Sequence, residues 1–107
     1  MYTKIYRYKV RPDKKEEFLD IHQEMSDIFL DSMGGRIQFM RNMNDESEWI
    51  VLEQMESKQL YERRIGEVES SIARTDLMAR LDDLLMTPVE ELGSEDFFVY
   101  MEVSAED

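Results

Sequence analysis

The segment EWIVLEQM, residues 48–55, constrains the fold more than any other stretch, because it is largely apolar on both of its alternating sides. A strand points successive side chains to opposite faces. Trp49, Val51, Glu53 and Met55 therefore share one face, and Ile50, Leu52 and Gln54 share the other. FFVYMEV near the C-terminus has the same character, with Phe97, Val99, Met101 and Val103 opposed to Phe98, Tyr100 and Glu102. A sheet made of such strands needs cover on both faces. A chain of 107 residues is the size of one domain and has no third layer to offer, so the missing cover is expected from a second copy.

The rest of the chain supplies a helix after strand 1 and another after strand 3. YTKIYRYKV, Tyr2 to Val10, is rich in aromatic and branched residues and predicts strand 1, with Tyr2, Tyr6, Tyr8 and Val10 on one parity. Asp13 and Glu16 have the spacing of a capping box and predict the start of helix 1 after Pro12. Phe18, His22, Met25, Phe29 and Met33 then recur at helical spacing until Gly34-Gly35 ends the helix. RIQFMRNM predicts strand 2, and the short polar link Asn44–Ser47 makes a hairpin of strands 2 and 3.

Ser57 is a helix N-cap, followed by the stripe Leu60, Tyr61, Ile65, Val68 and Ile72. The pattern falls out of phase at Thr75 and Asp76 and resumes at Leu77, which predicts a break there. Pro88 ends the helical region, Gly93-Ser94 makes a turn, and FFVYMEV is the last strand, with a frayed tail from Ser104 to Asp107. Residues 1–107 thus read as a single α+β domain of βαββαβ order, the ferredoxin-like arrangement with a four-stranded antiparallel sheet.

Charge and composition exclude several classes of function. The net charge of -12 repels nucleic acids and anionic membrane surfaces. No apolar run reaches the roughly 20 residues a membrane helix needs, and the first ten residues are too charged for a signal-peptide core, so a soluble, cytoplasmic protein is expected. With no cysteine and only one histidine, thiol chemistry is excluded and no metal site is expected. The nine methionines suit core filling or an adaptable contact surface.

Candidate chemistry is sparse. His22 is the only side chain that titrates near neutrality unperturbed, so it is a candidate general base, although its place on the apolar stripe equally fits a structural role. Arg41 and Glu53 share strand faces with Ile37, Phe39, Trp49, Val51 and Met55. If those faces line a cavity, both charges are inside it, either anchoring an enolate or phenolate or forming an ion pair at a dimer seam. Tyr6, Tyr8, Tyr61, Tyr100 and Trp49 offer stacking surfaces for a flat ligand, or plain core. Glu90, Glu91, Glu95 and Asp96 form an acidic cluster that reads as a solvated loop.

From Tyr2 to Pro88, through RPDKKEEFLDI, Gly34-Gly35 and the RIQFMRNMNDESEWIVLEQMES hairpin, the sequence resembles the antibiotic biosynthesis monooxygenase family of dimeric α+β barrels. The resemblance implies a homodimer whose apposed sheets enclose a cavity, and in some members oxidation of aromatic, polyketide-like or quinol-type compounds without a cofactor. Tyr61 matches a tyrosine early in helix 2 of some oxidising members, and Met55 stands where the family often has a tryptophan. Haem-degrading members place an iron-binding histidine on helix 2, where this chain has Arg64, Ile65 and Gly66. The expectation is thus a monooxygenase-like protein with Arg41, Tyr61 and His22 as catalytic candidates and Tyr6, Tyr8, Phe39, Trp49, Glu53 and Met55 around the substrate. The alternative is a non-catalytic ligand-binding or interaction dimer.

Overall fold

The computed structural model describes residues 1–88 and 91–105. In chain order these form β1 (Tyr2–Lys9), α1 (Lys15–Met33), β2 (Arg36–Arg41), β3 (Glu48–Met55), α2 (Lys58–Ala73), α3 (Leu77–Leu84) and β4 (Ser94–Phe98). The four strands make one sheet in the order β2-β3-β1-β4, each neighbouring pair antiparallel. This is the expected ferredoxin-like α+β architecture. No helix among the described residues is long and apolar enough to cross a membrane.

Local chemistry accounts for most boundaries. The Ser57 hydroxyl accepts a hydrogen bond from the Leu60 amide at 3.1 Å and starts α2. Gly34 and Gly35 both take positive φ, 70° and 81°, and turn the chain out of α1 into β2. The break between α2 and α3 falls at Arg74–Asp76, where the Thr75 hydroxyl donates to the Ile72 carbonyl and accepts from the Leu77 amide. Those bonds stop one helix and start the next.

Three boundaries depart from expectation. Asp13 does not cap α1: Pro12–Lys14 forms a single 3-10 turn, and α1 starts two residues later without a side-chain cap. Pro88 does not end the last helix, because Leu85 already leaves it to bridge Val10, and its amide neighbour Met86 donates to the Lys9 carbonyl. The last strand begins earlier, at Ser94 rather than Phe97, so no turn holds Ser94, and it stops at Phe98. β1 decides this, since residues 94–98 are the ones that find partners along Tyr2–Tyr6. Glu90, from the acidic cluster, lies outside the described residues; Glu95 and Asp96 are paired with Arg7 and Lys4 at 2.9 Å each.

The helices cover one face of the sheet only. That face carries Tyr2, Tyr8, Trp49, Val51 and Met55, all buried. By strand alternation the opposite face carries Ile5, Met40, Ile50, Leu52 and Phe97, of which Met40 is 43% and Phe97 47% exposed. Beyond β4 the chain continues with Tyr100, Met101 and Val103 at 80–98% exposure. So much uncovered apolar surface is unusual for a lone soluble protomer.

Candidate active site

The core beneath the helices is two clusters rather than one. The first gathers Phe18, Ile21, Tyr8, Trp49 and α3's Leu77, Leu81 and Leu84; the second gathers Tyr2, Phe29, Met33, Met55 and Val68. Between them a cavity of about 270 Å³ opens, lined from the sheet by Tyr6, Tyr8, Val51 and Glu53, from α1 by His22, Ser26 and Phe29, and from α2 by Tyr61 and Ile65. The α1 stripe explains the gap. Between the large His22 and Phe29 the helix presents the short, buried Ser26 beside Met25, and together they leave the space unfilled. The volume is near the lower end of the range for small-molecule pockets.

Its polar groups are few and strained in their solvation. Among the described residues, Glu53 Oε1 and His22 Nε2 are buried without a hydrogen-bond partner. Burial pushes the Glu53 carboxyl up to about 7, with the nearby Lys4 charge and a hydrogen bond from Tyr6 only partly opposing it. Burial likewise pulls His22 down to about 4, so at neutral pH the imidazole is uncharged. Tyr6, Tyr8 and Tyr61 are all raised, chiefly by burial, and stay protonated as donors. His22 also packs its ring against Phe18 at 4.7 Å and Tyr8 at 5.3 Å, which fixes its orientation.

Lys4 stands behind this wall. It is cross-strand partner to Glu53 in the β1–β3 register. Its ammonium donates to Asp96 at 2.9 Å and to the Tyr2 hydroxyl at 3.4 Å, and lies 4.9 Å from the centre of the Tyr61 ring. Burial works against this charge, but the Asp96 hydrogen bond and the surrounding tyrosines outweigh it and hold the group above the usual lysine value. Sequence reading passed over Lys4. The signal was its parity, since it sits between Tyr2 and Tyr6 on the face that strand 1 buries.

The sequence candidates thus divide. Tyr6, Tyr8, His22, Glu53 and Tyr61 come together around one cavity. Arg41 does not join them, nor does it pair with Glu53. It lies exposed at the end of β2, opposite Trp49 in register and 5.9 Å from its ring. Glu53 is four residues further along β3, roughly 13 Å away at about 3.3 Å per residue. Trp49 and Phe39 are packed into the first cluster rather than the cavity wall, with Phe39 against the His22 ring at 5.2 Å. Met55 is fully buried in the second cluster because it pairs with Tyr2 at the far end of the sheet.

The cavity lies inside a single chain, between the sheet and the helices. Among the described residues no group of three or more acidic or histidine side chains is placed to hold a metal ion.

A four-stranded ferredoxin-like sheet with an internal cavity between strands and helices defines the class. The family model for antibiotic biosynthesis monooxygenases matches residues 1–64, and the chain belongs to that family. Among solved structures, SnoaB, a cofactor-independent oxygenase from Streptomyces nogalater, superimposes with a TM-score of 0.69 at 13% identity, covering 97% of each chain. Protein Atu4242 from Agrobacterium tumefaciens gives 0.71 at 11%, covering 92% of each. Rv0793 from Mycobacterium tuberculosis gives 0.64 at 17%, covering 96% of this chain and 98% of its own. At such identities the likeness is one of fold. No curated protein matches in sequence.

Proposed function

We propose that the cavity binds a small flat aromatic of phenol or quinol type and that the protein promotes its oxidation by molecular oxygen without a cofactor. The observation that carries this is that Glu53 and His22, each with a buried atom lacking a hydrogen-bond partner (Oε1 and Nε2), line an otherwise aromatic and aliphatic pocket. Leaving such atoms unsatisfied costs about 1–3 kcal/mol each. A ligand with hydroxyl groups on a rigid ring recovers that energy, and the Tyr6, Tyr8 and Phe29 rings supply matching stacking surface. Family membership supports the oxidative reading, and SnoaB is an oxygenase that works without a cofactor.

Oxygen uptake with a panel of hydroquinones and anthrones tests it. Uptake above the uncatalysed rate is expected, and it should fall at least about tenfold in Ile65→Trp, which fills the cavity. Saturable binding with no uptake would leave a non-catalytic ligand-binding protein instead. Arg41→Ala should leave turnover within about twofold of wild type, since the residue lies outside the cavity.

We further propose that the working unit is a homodimer paired through the uncovered sheet face. The apolar side chains of that face and the exposed segment Tyr100–Val103 support it. Sedimentation at micromolar concentration should give twice the 12.8 kDa protomer mass. A well-behaved 12.8 kDa species would dismiss the pairing.

A further inference from the structure

We propose that Glu53 is the group that takes a proton from the bound aromatic, and that Lys4 is a positioning residue that sets the pH at which Glu53 can do so. The proposal rests on the cavity being the ligand site. Glu53, on β3, lines the pocket, and its buried Oε1 has no partner among the described residues. A carboxylate oxygen without a partner, on a side chain in the cavity wall, has a lone pair that a ligand proton can engage once the side chain turns toward it.

The other groups that face it are poorer bases. From β1 come Lys4, Tyr6 and Tyr8; from α1, His22; from α2, Tyr61 and, at the exposed rim, Glu69. The tyrosines hold their protons and act as donors. His22 is neutral, but with its basicity depressed to about 4 it is a weaker acceptor than a carboxylate raised to about 7. A base is most effective when its pKa lies near the working pH, and Glu53 is the cavity group that meets this condition.

In the step itself the Glu53 carboxylate forms an O–H bond to the proton of a phenolic hydroxyl, or of the acidic methylene in a ketone tautomer. The ligand's O–H or C–H bond breaks, and its electron pair stays on the ligand as a phenolate or enolate. No electron leaves the ligand in this step. The anion is held by the hydroxyl group of Tyr61, which keeps its proton and remains a donor.

Lys4 acts through its field. It makes no ion pair with Glu53, being held by Asp96 and Tyr2, but its positive charge favours the ionised carboxylate. Anchoring by Asp96 keeps that charge at one place in the wall. A freely moving lysine would either neutralise Glu53 by direct contact or turn to solvent.

Deuterium wash-in at the methylene of anthrone, followed by proton NMR without oxygen, separates proton transfer from oxidation. Binding of anthrone is measured in parallel by ligand-detected NMR. Wild type should accelerate exchange over buffer, with a rate that rises as pH passes about 7. Glu53→Gln should still bind anthrone and lose about 100-fold or more of the acceleration. Lys4→Met should move the midpoint of the pH profile upward, a displacement that a purely structural role would not produce. Anthrone bound to wild type without exchange, or exchange undiminished in Glu53→Gln, overturns the role of Glu53 and leaves the ligand site standing. An unmoved midpoint in Lys4→Met overturns the role of Lys4. Failure of wild type to bind anthrone removes the ligand site and the proposal together.

Discussion

Gly35→Ala should destabilise the fold by about 3 kcal/mol or more, and by clearly more than Gly34→Ala. Both glycines have positive φ, so alanine at either pays a backbone cost of about 1–3 kcal/mol. Only at Gly35 is there also a collision. A Cβ there would run into the carbonyl oxygen of Gln54, whereas at Gly34 nothing lies within 4 Å. The carbonyl cannot move aside, because Gln54 is in an inner strand, paired with Arg36 on one side and Thr3 on the other. Overpacking of this kind adds about 1–3 kcal/mol. Urea unfolding of the two variants at one protein concentration measures the difference. Equal losses would mean that the strand yields freely. Since Glu53 adjoins Gln54, Gly35→Ala should also disturb the cavity, and Gly34→Ala should leave it intact.

That junction shows what a sequence can and cannot disclose. The glycine pair, the hairpin, Ser57 and the helix break at Thr75 are local features, set by side-chain shape and backbone hydrogen bonding within a few residues, and each is legible in order along the chain. Parity was legible too, so the shared face of Trp49, Val51, Glu53 and Met55 came out correctly. Position along that face was not. Arg41 and Glu53 have the right parity to meet, yet register places Arg41 beside Trp49 at the other end of the strand. Met55 and Trp49 likewise share the face with Glu53 but fall into separate core clusters on either side of the cavity.

The cavity itself was legible only in part. Five of its side chains were named from the residues alone, because aromatic, histidine and acidic groups on apolar stripes attract attention. Ser26, a small side chain in the cavity wall, attracts none. Nor does Lys4, whose burial depends on Asp96 arriving from the last strand, 92 residues away. The last strand was misplaced for the same reason: hydrophobicity is highest at FFVYMEV, but pairing with β1 selects Ser94–Phe98. The segment beyond is left apolar and exposed, which is expected if another copy meets it.

The two unpartnered cavity groups should also oppose one another in the pH dependence of stability, and each should be unmasked by removing the other. The folded Glu53 keeps its proton up to about pH 7, while in the unfolded chain it titrates at its ordinary 4.5. Between these values the folded state holds more protons, so stability falls as pH rises, by about 3 kcal/mol in all. His22 does the reverse. Unfolded, it takes a proton below 6.5, whereas buried it stays neutral down to about 4. Across that window stability falls as pH drops, again by about 3 kcal/mol. From 4.5 to 6.5 the two slopes cancel, and wild type should show a nearly flat profile. Glu53→Gln should then gain stability as pH rises through this interval, and His22→Gln should lose it. Below about pH 4 the depressed carboxyls of Asp45, held down mainly by Ser47, and Asp96, held down mainly by Lys4, add a further loss on acidification common to all three proteins. Urea midpoints taken every half unit from pH 4.5 to 7 decide it: slopes of opposite sign in the two variants are the expected result, and two profiles parallel to wild type would show that neither group is held in the dry, unpaired setting on which the proton chemistry of the cavity depends.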